Sequence, residues 1–325
     1  MSVKDEVLKQ LENHKGNYIS GGQLAENLGV SRNSIWKAIK SLEKSGYQID
    51  AIPNRGYCLA EKSDILSSFS IGQYLKNELD IHVYPIVSST NTVLKDMAEQ
   101  GAAEGTVVVA EEQNAGKGRM GKSFYSPSKT GIYVSILLRP TIPAEESLFL
   151  TTSAAVATAK AIEDVSDKTA EIKWVNDVYI ENKKVCGILT EGAFNVETGQ
   201  LDYAIVGIGV NVCFPENGFP EEIQNIATAV FDKNTDSTNK RSMLIAHLLD
   251  YFMEYYKELD SKKHVKEYIE RSMILGKEIL MIEGKNTVPA TAIEIDKKCR
   301  LKVKLEDGST RWLSSGEVSI RVNKQ

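Results

Sequence analysis

Apolar side chains recur at helical spacing from the first residues onward. Val3, Val7, Leu8 and Leu11 fall on one helical face. Ser20 and Gln23 are spaced as a capping box ahead of Leu24, Ala25 and Leu28, with Ile19 placed to staple the entry. Gly29 supplies the positive φ of a tight turn. Ser31 is the N-cap of a second helix, Ile35, Ile39 and Leu42 its buried face, and Gly46 its stop. This is a helix-turn-helix. YQIDAI and YCLA then read as two short strands joined by the turn residues Pro53 to Gly56, a hairpin that makes the unit a winged helix-turn-helix.

Beyond residue 64 the pattern alternates strand and helix. TNTVLKDMAEQ is a helix, TVVVAEE and IYVSILL are strands, SLFLTTSAAVATAKAIEDV is a helix, AIVGIGV is a strand and SMLIAHLLDYFMEYYKEL is a closing helical run. From about Ser272, GKEILMIEG, PATAIEID, RLKVKLED and TRWLSS read as short strands with turns at EGKN and EDGS, a small barrel with Trp312 expected in its core. The expected domains are 1–64, 65–271 and 272–325 in a mixed α/β (α+β) multidomain chain. A length of 325 residues suits two or three domains.

Charge changes the picture only locally. The chain is 42% hydrophobic and 26% charged, with a formal net charge of −5, which gives no nucleic-acid signal for the whole protein. Residues 31–55, however, hold five basic and two acidic side chains. Opposite Ile35 and Ile39, the second helix offers Arg32, Asn33, Trp36, Lys37 and Lys40, and Arg55 stands at the wing tip. Arg and Asn can read base edges while Lys neutralises phosphate, so this face is expected to bind DNA. Cys58, Cys186, Cys213 and Cys299 form no C-x-x-C, and His14, His82, His247 and His264 form no H-E-x-x-H. Buried reduced thiols are expected rather than a structural zinc site. The N-terminal stretch is a charged helical pattern, not a signal peptide. No apolar run approaches the roughly 20 residues of a membrane span. The expectation is a cytoplasmic protein with no membrane partner.

The stretch AGKGRMGKS satisfies two nucleotide patterns at once. Gly116, Gly118 and Gly121 spell G-x-G-x-x-G, while Gly116, Gly121, Lys122 and Ser123 spell G-x-x-x-x-G-K-S. Both need a helix directly after the loop, whose N-terminal amides hold phosphate. Pro127 and Gly131 would break such a helix, and IYVSILL is a strand. Residues 123–144 also lack the acidic residue of the dinucleotide fingerprint. What remains is a strand-to-strand loop carrying Lys117, Arg119 and Lys122 among glycines, able to close over an anionic ligand. A P-loop kinase fails on the missing helix.

Taken with its neighbours, this loop resembles a signature of the biotin–protein ligase family in its bifunctional, winged-helix form. Ser89-Thr90-Asn91, GKGRMGK (Gly116 to Lys122), KWVND (Lys173 to Asp177) and Gly207 to Asn211 stand in the family's order. Lys117 and Met120 depart from the arginines often found there, and Val175 from the usual proline. The resemblance implies a class II synthetase-like mixed sheet and an SH3-like C-terminal unit. It implies a ligase that makes biotinyl-5′-AMP from biotin and Mg-ATP and biotinylates a lysine of a biotin carboxyl carrier domain. It also implies repression of operator DNA by an adenylate-bound homodimer. By the same resemblance, Ser89, Thr90, Asn91 and Gln113 bind biotin, and Lys117, Gly118 and Arg119 close over the carboxyl and phosphate region. Lys184 meets the carboxylate or acyl-phosphate, and Lys173 and Lys122 the phosphates. Asn176 and Asp177 orient Lys173 or bind Mg²⁺, and Asn211 reads adenine. Arg119, Lys184, Lys173 and Asp177 are the catalytic candidates. Trp174 and Phe124 are equally suited to packing over the ligand and to the core. A ligand-sensing repressor with a degenerate ligase site stays open as the alternative, against the retention of those four residues.

Overall fold

The computed structural model describes residues 2–320, apart from 195, 196, 198, 199, 234, 284 and 285. Ser2 and Asp5 cap each other to start α1 (Val3–Asn13), which packs with α2 (Gly21–Leu28) and α3 (Arg32–Lys44). Ser20 Oγ accepts from Gln23 N at 3.0 Å, one half of the expected capping box. Gly29 ends α2 at φ 63°, and Ser31 Oγ caps α3 through Ser34 N. Val7, Leu8, Leu11, Leu24, Ile35, Ile39, Leu42 and Leu59 form the core of this unit. Val3, expected in it, is 39% exposed. At 3.6 residues per turn it lies about 80° around the helix from Leu11, on the edge of the apolar face. The wing is β1 (Ile49–Ile52) paired antiparallel with β2 (Gly56–Leu59).

The central unit runs through α4 (Ser68–Gly72), β3 (Asp80–Val87), α5 (Thr90–Glu99), β4 (Thr106–Gln113), β5 (Gly131–Leu138) and α6 (Leu148–Val165). It continues with β6 (Glu171–Lys173), β7 (Asp177–Ile180), β8 (Lys183–Phe194), β9 (Leu201–Asn211), α7 (Lys240–Lys257) and α8 (His264–Glu270). The strands form one mixed sheet in the order β3-β4-β5-β9-β8-β7-β6. β3 and β4 are parallel, with α5 as their crossover, and the remaining pairs are antiparallel. Both faces are covered, which explains why β4 and β5 are apolar without alternation. Val108, Leu137 and Ile205 meet Leu94 and Ala98 of α5 on one side. Val107, Val109, Val134 and Ile136 join the larger core beneath α6 and α7. A run of alanines in α6, from Ala154 to Ala161, lets α7 and the sheet approach closely.

The C-terminal unit is a five-stranded antiparallel sheet in the order β13-β12-β11-β10-β14. Its strands are β10 (Glu278–Glu283), β11 (Asn286–Ile295), β12 (Leu301–Leu305), β13 (Thr310–Leu313) and β14 (Glu317–Ile320). β14 was not expected, because EVSI is short and only its register against β10 identifies it. The EGKN turn includes positions outside the described residues. The EDGS turn closes with Leu305 N donating to Ser309 O at 2.9 Å. Trp312 is not in the core. It is 37% exposed on the edge strand, flanked by Arg300 at 5.1 Å and Lys302 at 5.4 Å from its ring centroid. Strand alternation turns Leu313 inward and Trp312 outward. None of the described helices is long and apolar enough to cross a membrane.

His264 ties α8 to α6 and α7. It is 1% exposed, its Nε2 lies 3.0 Å from Thr152 Oγ1, and its ring meets Phe149 and Tyr255 edge-on. Burial holds its pKa down at about 4, against 6.5 for the free side chain. The unfolded chain therefore takes up this proton first, and the site's stabilisation, present above pH 6.5, is lost as pH falls toward 4. Wild type should lose on the order of 3 kcal/mol more than His264→Phe between pH 7 and pH 4, read from denaturant unfolding at each pH.

Candidate active site and nucleic-acid interface

The Gly116–Lys122 loop joins β4 to the antiparallel β5 and holds a single 3-10 turn, Arg119–Gly121. The loop folds on itself: Gly118 N donates to Lys122 O at 2.7 Å and Phe124 N to Gly116 O at 2.9 Å. Beneath it lies a cleft of about 270 Å³.

One end of the cleft is polar and neutral. Ser89, Thr90, Asn91 and Gln113 line it. Ser89 is the N-cap residue of α5, yet its side chain makes no capping bond. Thr90 donates to Gln113 Oε1 through its amide, at 2.8 Å, and its hydroxyl, at 3.1 Å. Gln113 Nε2 in turn donates to Ser126 Oγ at 3.0 Å. Ser135 Oγ lies 2.7 Å from Thr90 Oγ1 and donates to Asn91 Oδ1 at 2.6 Å, while Asn91 Nδ2 donates to Glu191 Oε2 at 2.7 Å. The side-chain amides of Asn91 and Gln113 are thus engaged within the protein. Ser126, Ser135 and Glu191, which hold them, were not singled out from the sequence.

The floor is made of Gly187, Gly207 and Gly209 on β8 and β9. A Cβ on Gly207 would overlap Asn91 Oδ1, and one on Gly209 would sit 2.5 Å from the Phe124 ring. The glycines of the G-I-G-x-N segment thus let Asn91 and Phe124 lie directly on the sheet. Asn211, at the end of β9, lines the same cleft and donates its Nδ2 to Thr228 O at 3.1 Å. Phe124 faces the cleft. Trp174 instead belongs to the core, 2% exposed, with Nε1 donating to Cys299 O at 2.9 Å.

The other end is cationic. Lys117, Gly118, Arg119 and Lys122 reach it from the loop, and Lys173 and Lys184 from the sheet. Five cations face two carboxylates, Asp177 and Glu317, a balance suited to a polyanion. Each of four cations has its own anchor. Arg119 Nη1 donates to Asn176 Oδ1 at 2.9 Å, and Asn176 Nδ2 to Ile188 O at 2.9 Å. Lys184 Nζ pairs with Asp177 at 2.7 Å. Lys122 Nζ pairs with Glu317 of β14 at 2.6 Å. Lys173 Nζ donates to the Tyr179 hydroxyl at 3.1 Å. Asn176 and Asp177 were expected to orient Lys173 or to bind Mg²⁺. Asn176 holds Arg119 instead, and Asp177 opposes Lys173 across β6 and β7 and acts on it through charge. Burial depresses the Lys173 pKa and Asp177 partly offsets it. Burial pushes the Tyr179 phenol up to about 12, with Asp177 adding to the rise. Tyr179 and Glu317 are site residues the sequence did not reveal.

On the winged unit, Arg32, Asn33, Trp36, Lys37 and Lys40 are all exposed on α3, Trp36 at 51%. Lys40 is paired with Glu43 at 2.7 Å. Arg55, at the wing tip, lies over the Tyr18 ring at 4.4 Å from its centroid.

Comparison with known proteins agrees with this division of labour. Residues 83–211 match the Biotin/lipoate A/B protein ligase family, residues 4–58 an HTH domain, and residues 274–321 the Biotin protein ligase C terminal domain. The Bifunctional ligase/repressor BirA of Bacillus subtilis (strain 168) is 37% identical over 255 residues, 77% of this chain and 78% of that protein. The protein of the same name from Escherichia coli (strain K12) is 26% identical over 94% of each chain. Among solved structures, the biotin protein ligase of Aquifex aeolicus in complex with biotin and ATP superposes with a TM-score of 0.61. It is 28% identical, over 74% of this chain and 98% of that one.

The close approach of Asn91 to Gly207 makes a direct test of the floor. Gly207→Ala should lower unfolding free energy by about 1–3 kcal/mol, as overpacking does. Gly72→Ala, where an added Cβ meets nothing within 4 Å, should cost well under that in the same urea titration.

Proposed function

This chain belongs to the biotin/lipoate A/B protein ligase family, in its bifunctional ligase/repressor form, and we propose how its own residues divide the work. It is an ATP-dependent biotin–protein ligase that also acts as a DNA-binding repressor. The observation that carries the reading is the convergence of five cations and a hydroxyl- and amide-lined alcove on one glycine-floored cleft.

In the first step the biotin carboxylate attacks the α-phosphate of ATP; the bond from the α- to the β-phosphate breaks, pyrophosphate leaves, and biotinyl-5′-AMP is formed. Two anions must meet, so positioning and fixed positive charge matter more than a protein nucleophile. Arg119 and Lys184 are assigned to the carboxylate and α-phosphate, Lys173, Lys122 and Lys117 to the departing phosphates. Ser89 and Thr90 face the ureido ring, with Asn91 and Gln113 shaping the alcove around it. Asn211 is assigned to the adenine. In the second step the amine of an acceptor lysine on a biotin carrier domain attacks the acyl carbon, and AMP leaves. Mg²⁺, when bound with ATP, would supply charge neutralisation of the triphosphate. Among the described residues no group of three His, Cys, Asp or Glu side chains could hold a metal ion. Asp177, a carboxylate in the cleft lining, would be the protein oxygen donor to such a cation.

Residues 1–64 are the operator reader, 65–271 the ligase unit and 272–325 the unit that lends Glu317. A homodimer formed with the adenylate would present two α3 helices to a palindromic operator. The four thiols, all free, suit a reducing cytoplasm.

Mass spectrometry after incubation with biotin and Mg-ATP, without and then with an acceptor domain, tests the chemistry. Biotinyl-adenylate in the first sample and a mass gain on one acceptor lysine in the second are expected; bound biotin without adenylate would leave the repressor alone standing. Arg119→Ala should slow adenylation, or speed adenylate loss, on the order of a hundredfold, the scale of one lost transition-state donor. A change under threefold would remove Arg119 from that role. Arg32→Ala and Lys37→Ala should each weaken DNA binding and flatten its salt dependence, checked by titrations at several salt concentrations.

A further inference from the structure

The link between the DNA-reading unit and the ligase unit is held by charge as well as by apolar packing: Ile65 packs against the core of the winged unit and Leu66 is buried in the central core. Arg241, in the first turn of α7, is 0% exposed. Its Nε donates to Asp64 Oδ2 at 2.8 Å, its Nη2 to the Asp64 carbonyl, and its Nη1 to Glu111 Oε2 at 2.7 Å and Gly131 O at 3.3 Å. Glu111 Oε1 also accepts from Leu66 N at 2.6 Å. One residue before Asp64, the Ser63 carbonyl accepts at 2.6 Å from Lys15 Nζ, just past the end of α1, which also donates to Asn239 Oδ1 at 2.9 Å. The linker is therefore gripped at Ser63, Asp64 and Leu66, from α1, α7 and β4 together.

Both anchors on the ligase side continue into the cleft wall. Glu111 lies two positions before Gln113 on β4, and Gln113 holds Thr90. The segment leading into α7 carries Ile226 and Ala227, which line the cleft. That segment is pinned to the cationic strand by Lys184 N donating to Ile226 O at 2.8 Å and Thr228 N to Lys184 O at 2.9 Å. A buried ion cluster is a poor way to gain stability, because desolvation offsets much of the attraction. It is a good way to admit one geometry, since any other leaves a buried charge unpaired.

We propose that Arg241 is a positioning residue that couples the state of the cleft to the placement of the DNA-reading unit by clasping the linker at Asp64. This rests on the function proposed above and adds a regulatory path to it. Arg241 itself is too deeply buried to replace safely, so the test uses Asp64→Asn and Lys15→Met in the full chain. The probe is a DNA duplex selected by the wild-type protein from a random-sequence pool in the presence of biotin and Mg-ATP. The readout is the ratio of duplex affinities without and with biotin and Mg-ATP, below the melting transition, beside acceptor biotinylation. Each variant should lose at least about tenfold of that ratio and keep biotinylation within threefold. A ratio within twofold of wild type in both variants, whatever happens to Tm, would reduce the clasp to a structural contact. So would a parallel fall in biotinylation and affinity. A wild-type protein with no ligand effect on DNA affinity would overturn the proposed repressor, and the clasp with it, before any variant is measured.

Discussion

Holding several positive side chains close together, ahead of the anion that will neutralise them, is the constraint on which this structure depends. Like charges a few ångströms apart repel, and a floppy set would scatter into solvent. The protein answers with one anchor per cation. Asn176 holds Arg119, Asp177 holds Lys184, Glu317 holds Lys122 and Tyr179 holds Lys173. Two of these anchors are neutral, so much of the positive potential survives for a ligand. Lys173 shows the tension most clearly, because burial already favours loss of its proton.

The sheet exists in this form to place those anchors. β6 and β7 are short, and their tight connection carries Lys173, Asn176 and Asp177 to one rim. β8 and β9 bring glycines rather than side chains to the middle, leaving the space that the loop roofs. α6 and α7 fill the opposite face so completely that the rim has a rigid base. The C-terminal sheet is joined to this base by the Trp174 bond to Cys299 and reaches the rim through Glu317.

Local signals were legible in the sequence, and long-range pairings were not. Ser31, Gly29 and the period of Ile35, Ile39 and Leu42 fix the helix-turn-helix because caps and turns act within a few residues. The glycine-rich loop could be read as strand-to-strand because Pro127 and Gly131 forbid a helix. The phase of a short pattern is harder to read: Val3 and Trp312 each lie at an element's margin, where one position separates inside from outside. Glu317, Tyr179, Ser135 and Glu191 reach the site through sheet register and inter-domain contact, over separations that carry no periodic trace. The thirteen ligand-site candidates line one cleft, but the contacts that hold them were not legible in the sequence. The resemblance set Asn176 either on Lys173 or on Mg²⁺, and in the fold its side-chain oxygen accepts from Arg119.

The three tryptophans of the chain fall one to each unit: Trp36 on α3, Trp174 between β6 and β7, Trp312 on β13. Their surroundings differ as much as their positions. Trp36 is half exposed, Trp174 is sealed in the core, and Trp312 stands between two cations. An indole in water emits at longer wavelength than one in an apolar interior, and a neighbouring charge alters its yield. The molecule thus carries a native optical probe for each of its parts, and single-tryptophan versions would let the reader, the catalyst and the C-terminal sheet be watched separately in one solution.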